Sequence, residues 1–147
     1  MELLLANAAA TLYLTGLIWF VQVVHYPLFA GVGEERCVAY VRRHTRLTGY
    51  VVVVPMLVEL ISAMLLVAWR PGAVSLAEAK AGLLLVVLIW ASTFLLQVPC
   101  HRRLSGEYSE SVVRRLVTTN WVRTVLWSAR AVLVVWWLAR LLEPDRG

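Results

Sequence analysis

Long apolar runs alternate with short polar segments along most of the chain. Four of these runs reach the roughly 20 residues that an α-helix needs to cross the hydrocarbon core of a bilayer. They cover residues 3–25, 47–69, 76–98 and 121–142. The pattern therefore predicts an all-α integral membrane protein, a four-helix bundle built as a single transmembrane domain over residues 1–147.

The connections between these runs differ in length. A tight turn at RPG joins runs two and three, and Ser75 with Glu78 then has the S-x-x-E spacing of a capping box. The other two connections, residues 26–46 and 99–119, begin with acidic residues and end in arginines within their GEERCVAYVRR and GEYSESVVRR stretches. This polarity suits the helix macrodipole, so each long connection is predicted to contain a short helix lying in the membrane interface.

Short sequence matches relate the two halves of the chain. QVVHYP at the end of run one is similar to QVPCH at the end of run three, and YVRRH before run two is similar to VVRRL before run four. These matches suggest the hypothesis that the halves are two duplicated helical hairpins. The alternative is convergence, because membrane edges select the same residue types.

Composition and charge place the chain in a membrane and predict its orientation. Hydrophobic residues make up 61% of the chain and the mean hydropathy is +0.74, whereas soluble domains are roughly half apolar. The two long connections share one side of the membrane and are rich in arginine: Arg36, Arg42, Arg43, Arg46, Arg102, Arg103, Arg114 and Arg115. The opposite side has Arg70, Lys80, Arg140 and Arg146. The positive-inside rule then predicts a multi-pass protein of the cell inner (plasma) membrane with both termini outside the cytoplasm.

The net charge, the basic and aromatic residues and the two cysteines indicate which molecules the chain contacts. The net charge of +5 is explained by anionic lipid headgroups. No nucleic acid is expected, because the basic and aromatic residues of NWVRTVLWSAR lie within a span. Cys37 and Cys100 are predicted free thiols in a reducing cytoplasm, although the reverse orientation would permit a disulfide. The predicted partners are the lipid bilayer, a lipophilic small molecule and, given the lipid-facing surface of four helices, a second copy of the chain.

Polar side chains inside the spans predict an inward-facing pocket, since unsatisfied polar groups are costly against lipid tails. The ligand-binding candidates are Gln22, Gln97, Asn120, Arg123 and Arg130. Glu59 and Arg130 lie at similar depths on helices that run in the same direction, so they are predicted to be neighbours or to share a polar pocket. Two interpretations stay open: the pair fixes helix packing, or Glu59 handles protons while Arg130 holds an anionic or carbonyl ligand.

All three histidines, His25, His44 and His101, lie at or near the arginine-rich membrane face. Imidazole binds transition metals and haem, and it also serves as an acid–base group. The three histidines are therefore candidate metal ligands, candidate catalytic residues together with Glu59, or structural residues of the interface. No H-x-x-x-H, C-x-x-C or C-x-x-C-H spacing selects a haem or a metal, and the cofactor is left open.

VPCHRRL followed by LVTTNWVRTVLWSARAVL, with VVHYPLF as a weaker match, resembles small bacterial four-helix membrane proteins and, more distantly, the anthrone-oxygenase-like membrane family. The resemblance covers residues 95–135. It implies a four-helix bundle whose characterised relatives oxidise phenolic polycyclic substrates, without a cofactor motif to transfer. It also implies these pocket-lining residues: Pro99, His101, Leu104, Asn120 and Arg123. His101 departs from the family, which more often has asparagine there.

Two classes of function follow from these patterns. The first is an oxidoreductase or oxygenase acting on a lipophilic aromatic or quinone-like substrate, with the histidines at the mouth of a polar pocket. The second is a non-enzymatic small carrier or membrane assembly partner, in which the buried polar residues hold helices together. The first predicts a ligand cavity open to the arginine-rich face, and the second predicts dry, interdigitated packing.

Overall fold

The protein is an all-α bundle with four membrane-length helical segments. The computed structural model describes residues 1–142, so the last five positions of the predicted domain, among them Arg146, lie outside the described residues. The helices are α1 (Glu2–Phe20), α2 (Glu34–Ala68), α3 (Leu76–Ser92), α4 (Val98–Leu104) and α5 (Glu110–Leu142). The segments long and apolar enough to cross a membrane are Glu2–Gly31, Glu34–Ala68, Leu76–Leu104 and Glu110–Leu142. The predicted fold class is confirmed.

The two long connections are shorter than the sequence indicated. Helix α2 begins at Glu34 and α5 at Glu110, ahead of the apolar runs that start at residues 47 and 121. The arginine-rich stretches are therefore the first turns of these long helices, which corrects the prediction of separate interfacial helices. The physical reason is that arginine and glutamate propagate a helix about as well as apolar residues do. A 3₁₀ segment, Pro27–Gly31, and α4 complete the two connections.

A π-helical turn follows each of α1 and α3. The first is Val21–His25 and precedes Pro27, and the second is Thr93–Gln97 and precedes Pro99. A π-helical turn inserts one extra residue, which rotates the following side chains around the helix axis. In each half of the chain, the proline is the second residue after the π-helical turn. This shared order and spacing supports the hypothesis of duplicated hairpins.

The four long helices form a ring in which α1 packs against α2 and α5, and α3 also packs against α2 and α5. The predicted capping box of Ser75 and Glu78 is present at the start of α3. Glu78 also pairs with Arg140 of α5 at 2.7 Å, which ties the ends of two neighbouring helices together. One apolar core lies toward the arginine-rich end and a second toward the opposite end.

Candidate functional site

A lateral groove and a smaller inner cavity lie at the arginine-rich end of the bundle. The groove has a volume of about 430 Å³, and the inner cavity has a volume of about 80 Å³. The groove is lined by Leu17, Phe20, Val21, His25, Tyr40, Arg43, His44, Leu47, Thr48 and Val51. Leu17, Val21, His44 and Thr48 also line the inner cavity, so the two spaces adjoin along a common wall.

A hydrogen-bonded histidine pair forms the polar wall of the groove. His25 Nε2 and His44 Nδ1 are 2.7 Å apart, so one of these nitrogens carries the shared proton and the other accepts it. His25 lies on the π-helical turn and His44 on α2, and Thr48 contacts His44 Nδ1 at 3.1 Å. The pair joins two helices and presents an acid–base group to a space otherwise lined mainly by apolar side chains.

The third histidine, His101, lies in the same layer but outside both cavity linings. Its ring stacks on that of His44 with centroids 5.3 Å apart, and Phe29 packs edge-on against all three imidazoles. The prediction that the three histidines share a layer at this end is confirmed by these contacts. Aromatic packing and hydrogen bonding hold the cluster together.

The histidine cluster does not have the geometry of a metal centre. Within residues 1–142, no group of three or more His, Cys, Asp and Glu side chains is arranged to hold a metal ion. His25 and His44 direct ring nitrogens at each other, and His101 Nε2 is bonded to the Tyr26 hydroxyl at 2.9 Å. A metal needs nitrogens about 2 Å from one shared point. His25, His44 and His101, the predicted metal ligands, therefore do not direct their nitrogens at one shared point in this structure.

A second group of polar residues borders the inner cavity. Arg123, Tyr26 and Thr93 line it together with His44. Arg123 Nη2 donates to the Tyr26 hydroxyl oxygen at 3.3 Å, and that hydroxyl contacts His101 Nε2. Because the oxygen accepts from Arg123, the hydroxyl proton is free to point at His101. Tyr26 thereby links the cavity to the histidine layer.

Asn120 and Gln22 position Arg123. Asn120 Oδ1 accepts hydrogen bonds from Nε and Nη2 of Arg123, and Asn120 Nδ2 donates to Gln22 Oε1 at 2.8 Å. Gln22 Nε2 donates in turn to the backbone carbonyl of Val117 at 3.1 Å. Asn120 and Gln22 are both buried and line neither cavity. Their arrangement fixes the guanidinium of Arg123 without exposing either amide to a ligand.

Glu59 lies in a separate polar cluster on the far side of Trp127. Thr11 donates to Oε1 of Glu59 at 2.7 Å and Trp127 Nε1 donates to Oε2 at 3.0 Å. Glu59 is 1% exposed and lines neither cavity, whereas Trp127 does line the inner one. The indole thus contacts both the inner cavity and the Glu59 carboxylate, whose own bonds are to Thr11 and Trp127.

Asn7 connects Glu59 with Arg130. It donates to the backbone carbonyl of Glu59 at 3.2 Å and accepts a hydrogen bond from Arg130 Nη2. Glu59 and Arg130 therefore share a polar pocket, as the sequence predicts, and Asn7 bridges the guanidinium to the backbone carbonyl of Glu59 rather than to its carboxylate. Arg130 is fully buried, and its guanidinium packs on Trp137 at 5.2 Å and against Gly82. It lines neither cavity.

Gln97 is not brought to the site. It accepts from Ser92 at 3.2 Å and donates to Thr119 at 3.3 Å, and it borders neither cavity. Conversely, Tyr26, Thr48 and Thr93 line the cavities without being among the predicted site residues. The π-helical turns shift which positions face inward, and no local spacing in the sequence marks those turns. Cys37 and Cys100 are buried and unbridged.

No protein-family model, no curated protein and no solved structure matches the chain. The resemblance to the anthrone-oxygenase-like family accordingly stays a prediction, as do the roles it implies for Pro99 and Leu104. The site is defined by its own geometry: an apolar groove facing lipid, a histidine pair on its wall, and an arginine in the adjoining inner cavity.

Proposed function

We propose that the protein binds a lipophilic molecule with an aromatic, oxygen-bearing head, of the quinone or phenol class, in the groove between α1 and α2. The observation that supports this most is the pairing of His25 with His44 on the wall of an otherwise mainly apolar cavity. Binding sites for small molecules typically combine apolar walls with a few placed polar groups.

The surroundings of the histidine pair favour an aromatic head that arrives through the bilayer. Phe20 and Tyr40 flank His25, with ring centroids 6.4 Å away in each case, and such rings pack well against a planar ligand. Phe20, Leu47 and Val51 line the groove and are exposed on the outer surface of the bundle. A molecule dissolved in lipid therefore has a direct lateral entry.

An oxidoreductase function extends this proposal. Reduction of a quinone head takes up electrons and protons and yields a quinol. Two protons are needed, and the His25–His44 pair on the groove wall passes them to the head one at a time, each replaced from water at the arginine-rich face. The electrons come from a separate redox partner, a protein or a small reductant. Without such a partner the same groove serves the alternative function, a non-enzymatic carrier of the lipophilic molecule.

The binding proposal predicts a loss of affinity when the histidine pair is broken. His44→Phe keeps a ring but removes the hydrogen-bonding nitrogens, so we expect the Kd for a decyl-substituted 1,4-benzoquinone to rise about tenfold, near 1.4 kcal/mol. Quenching of tryptophan fluorescence in detergent-solubilised protein measures this. Leu95→Phe, which adds a ring at an exposed position away from the groove, is the control and keeps the wild-type Kd. Unchanged affinity in both His44→Phe and His25→Phe would contradict the proposal.

We further propose an inner-membrane location with the arginine-rich end in the cytoplasm and both termini outside. Support comes from the arginines at the starts of α2 and α5, among which Arg42, Arg43, Arg114 and Arg115 are exposed, as the positive-inside rule requires. A reporter enzyme active only outside the cytoplasm, fused after Gly147, is expected to be active. A fusion in the loop at Gly106 is expected to be inactive, and the reverse pattern would overturn the orientation.

A further inference from the structure

Arg123 is a buried cation without a carboxylate partner among the described residues. It is 8% exposed, and within residues 1–142 the carboxylate–guanidinium contacts are Glu110–Arg114 and Glu78–Arg140. An ionisable group within a membrane span is costly unless it is paired or lines a functional cavity. Arg123 does line the inner cavity, so the cavity is where a balancing oxygen would lie.

The hydrogen bonds of Arg123 leave one part of the guanidinium for a ligand. Nε and Nη2 are taken up by Asn120 and Tyr26. Nη1 has a single contact among the described residues, to Thr93 Oγ1 at 3.5 Å, which is beyond the usual length of an N–H···O bond. The Thr93 hydroxyl donates its proton to the backbone carbonyl of Ile89 at 2.8 Å, which holds its oxygen at this distance from Nη1. Nη1 is therefore the underused donor at this cavity.

The position of His44 relates this donor to the groove. His44 and Thr48 line both the groove and the inner cavity, so a ligand head seated against His44 borders both spaces. A ring with oxygens at opposite positions would place one oxygen near the histidine pair and direct the other into the inner cavity. A head with a single oxygen would leave Nη1 of Arg123 with only its long contact to Thr93 Oγ1, which is unfavourable for a buried donor.

We propose that Arg123, positioned by Asn120 and flanked by Tyr26, binds a second oxygen of the ligand head, so that the site selects para-diones over heads with one oxygen. This inference rests on the proposed function and adds its specificity. Arg123 acts here as a hydrogen-bonding cation for a carbonyl or a reduced, negatively charged oxygen, the role for which a planar guanidinium is suited. Asn120 is a positioning residue.

The test compares two ligands of matched chain length. Decyl-1,4-benzoquinone has two ring oxygens, whereas 4-decylphenol has one. Wild-type protein is expected to bind the quinone at least about tenfold more tightly. Arg123→Gln, neutral and similar in length, is expected to lower quinone affinity to the level of the phenol and to leave phenol affinity unchanged. Equal affinities for both ligands in the wild type, or an unchanged ratio in Arg123→Gln, would overturn the inference.

Further variants keep the test decisive if Arg123→Gln does not fold. Tyr26→Phe removes the hydroxyl that orients Nη2 and is expected to reduce the quinone-to-phenol ratio about threefold, with thermal unfolding confirming a folded protein. Thr119→Val, which removes a hydroxyl from α5 away from both cavities, leaves the ratio unchanged. A folded Tyr26→Phe protein with the wild-type ratio would count against the inference.

The outcomes separate this inference from the proposed function. If neither ligand binds wild-type protein, the proposed function fails and the assignment of Arg123 falls with it. If both bind with equal affinity, the groove is a ligand site but the dione selectivity is wrong. A fatty acid is the competing ligand for Arg123. If oleate displaces the quinone from wild-type protein but not from Arg123→Gln, and the quinone and the phenol bind wild-type protein with equal affinity, then Arg123 binds a fatty-acid carboxylate and the inference is overturned.

Discussion

Glu59→Gln is expected to lower the free energy of unfolding by about 3 kcal/mol while leaving the quinone affinity of the groove unchanged. The carboxylate accepts from Thr11 on one oxygen and from Trp127 on the other. An amide offers one oxygen acceptor and one NH₂ donor, so the indole of Trp127 keeps its acceptor only if the Thr11 hydroxyl turns from donor to acceptor. Arg130 also loses its nearby negative charge, and uncompensated buried charges cost about 3–5 kcal/mol.

Measurement of this loss requires a matched control. Glu35→Gln makes the same chemical change at an exposed position in the first turn of α2, where substitutions typically change stability by less than about 0.5 kcal/mol. Reversible denaturation in mixed detergent micelles reports both values. A Glu59→Gln protein of wild-type stability that no longer binds the quinone would reverse the assignment and make Glu59 a ligand-site residue.

The number of spans follows from the sequence because bilayer thickness sets a minimum length for any apolar run that crosses it. All four predicted spans correspond to helical segments of the structure. The helix starts do not follow from the same rule. Glu34 and Glu110 begin helices well outside the apolar runs, because helix propagation depends on backbone hydrogen bonding and propensity rather than on hydropathy. Hydropathy therefore predicts the membrane-crossing part of each helix and underestimates its length.

The sequence predicts how deep in the membrane the candidate site lies, but not which side chains face its cavities. His25, His44 and His101 come together because each lies where a span meets the arginine-rich face, and that depth is a one-dimensional property of the sequence. The inward turn of Tyr26 and Thr93 depends on rotation about a helix axis, which the π-helical turns alter. The apolar pattern of the sequence does not predict these turns. Gln22 and Gln97, which the sequence predicts as ligand-binding candidates, therefore both bond to other side chains and line neither cavity.

The arrangement of charges explains why two arginines on one helix have different roles. Arg123 and Arg130 are both buried on α5, but Arg130 lies beside Glu59 and stacks on Trp137, away from either cavity. Arg123 borders empty space and has no acidic neighbour in the described chain. Arg130 is therefore enclosed by protein, whereas Arg123 is the arginine of α5 that a ligand in the inner cavity could reach.

Gly82→Ala is expected to destabilise the bundle by about 1–3 kcal/mol, the usual range for overpacking. A methyl group at Gly82 would lie 2.8 Å from Arg130 Nη1 and 2.9 Å from the Trp137 ring. Neither neighbour has room to move freely, because both side chains are almost completely buried.

Gly16→Ala is the matched control, since nothing lies within 4 Å of the added methyl there, and alanine favours a helix over glycine by about 1 kcal/mol. Opposite signs for the two substitutions in the same denaturation assay would show that Gly82 is required by the close approach of Arg130 to α3. Stabilisation by both would mean that Arg130 can withdraw from α3 at little cost, and the enclosed position assigned to it would then be wrong.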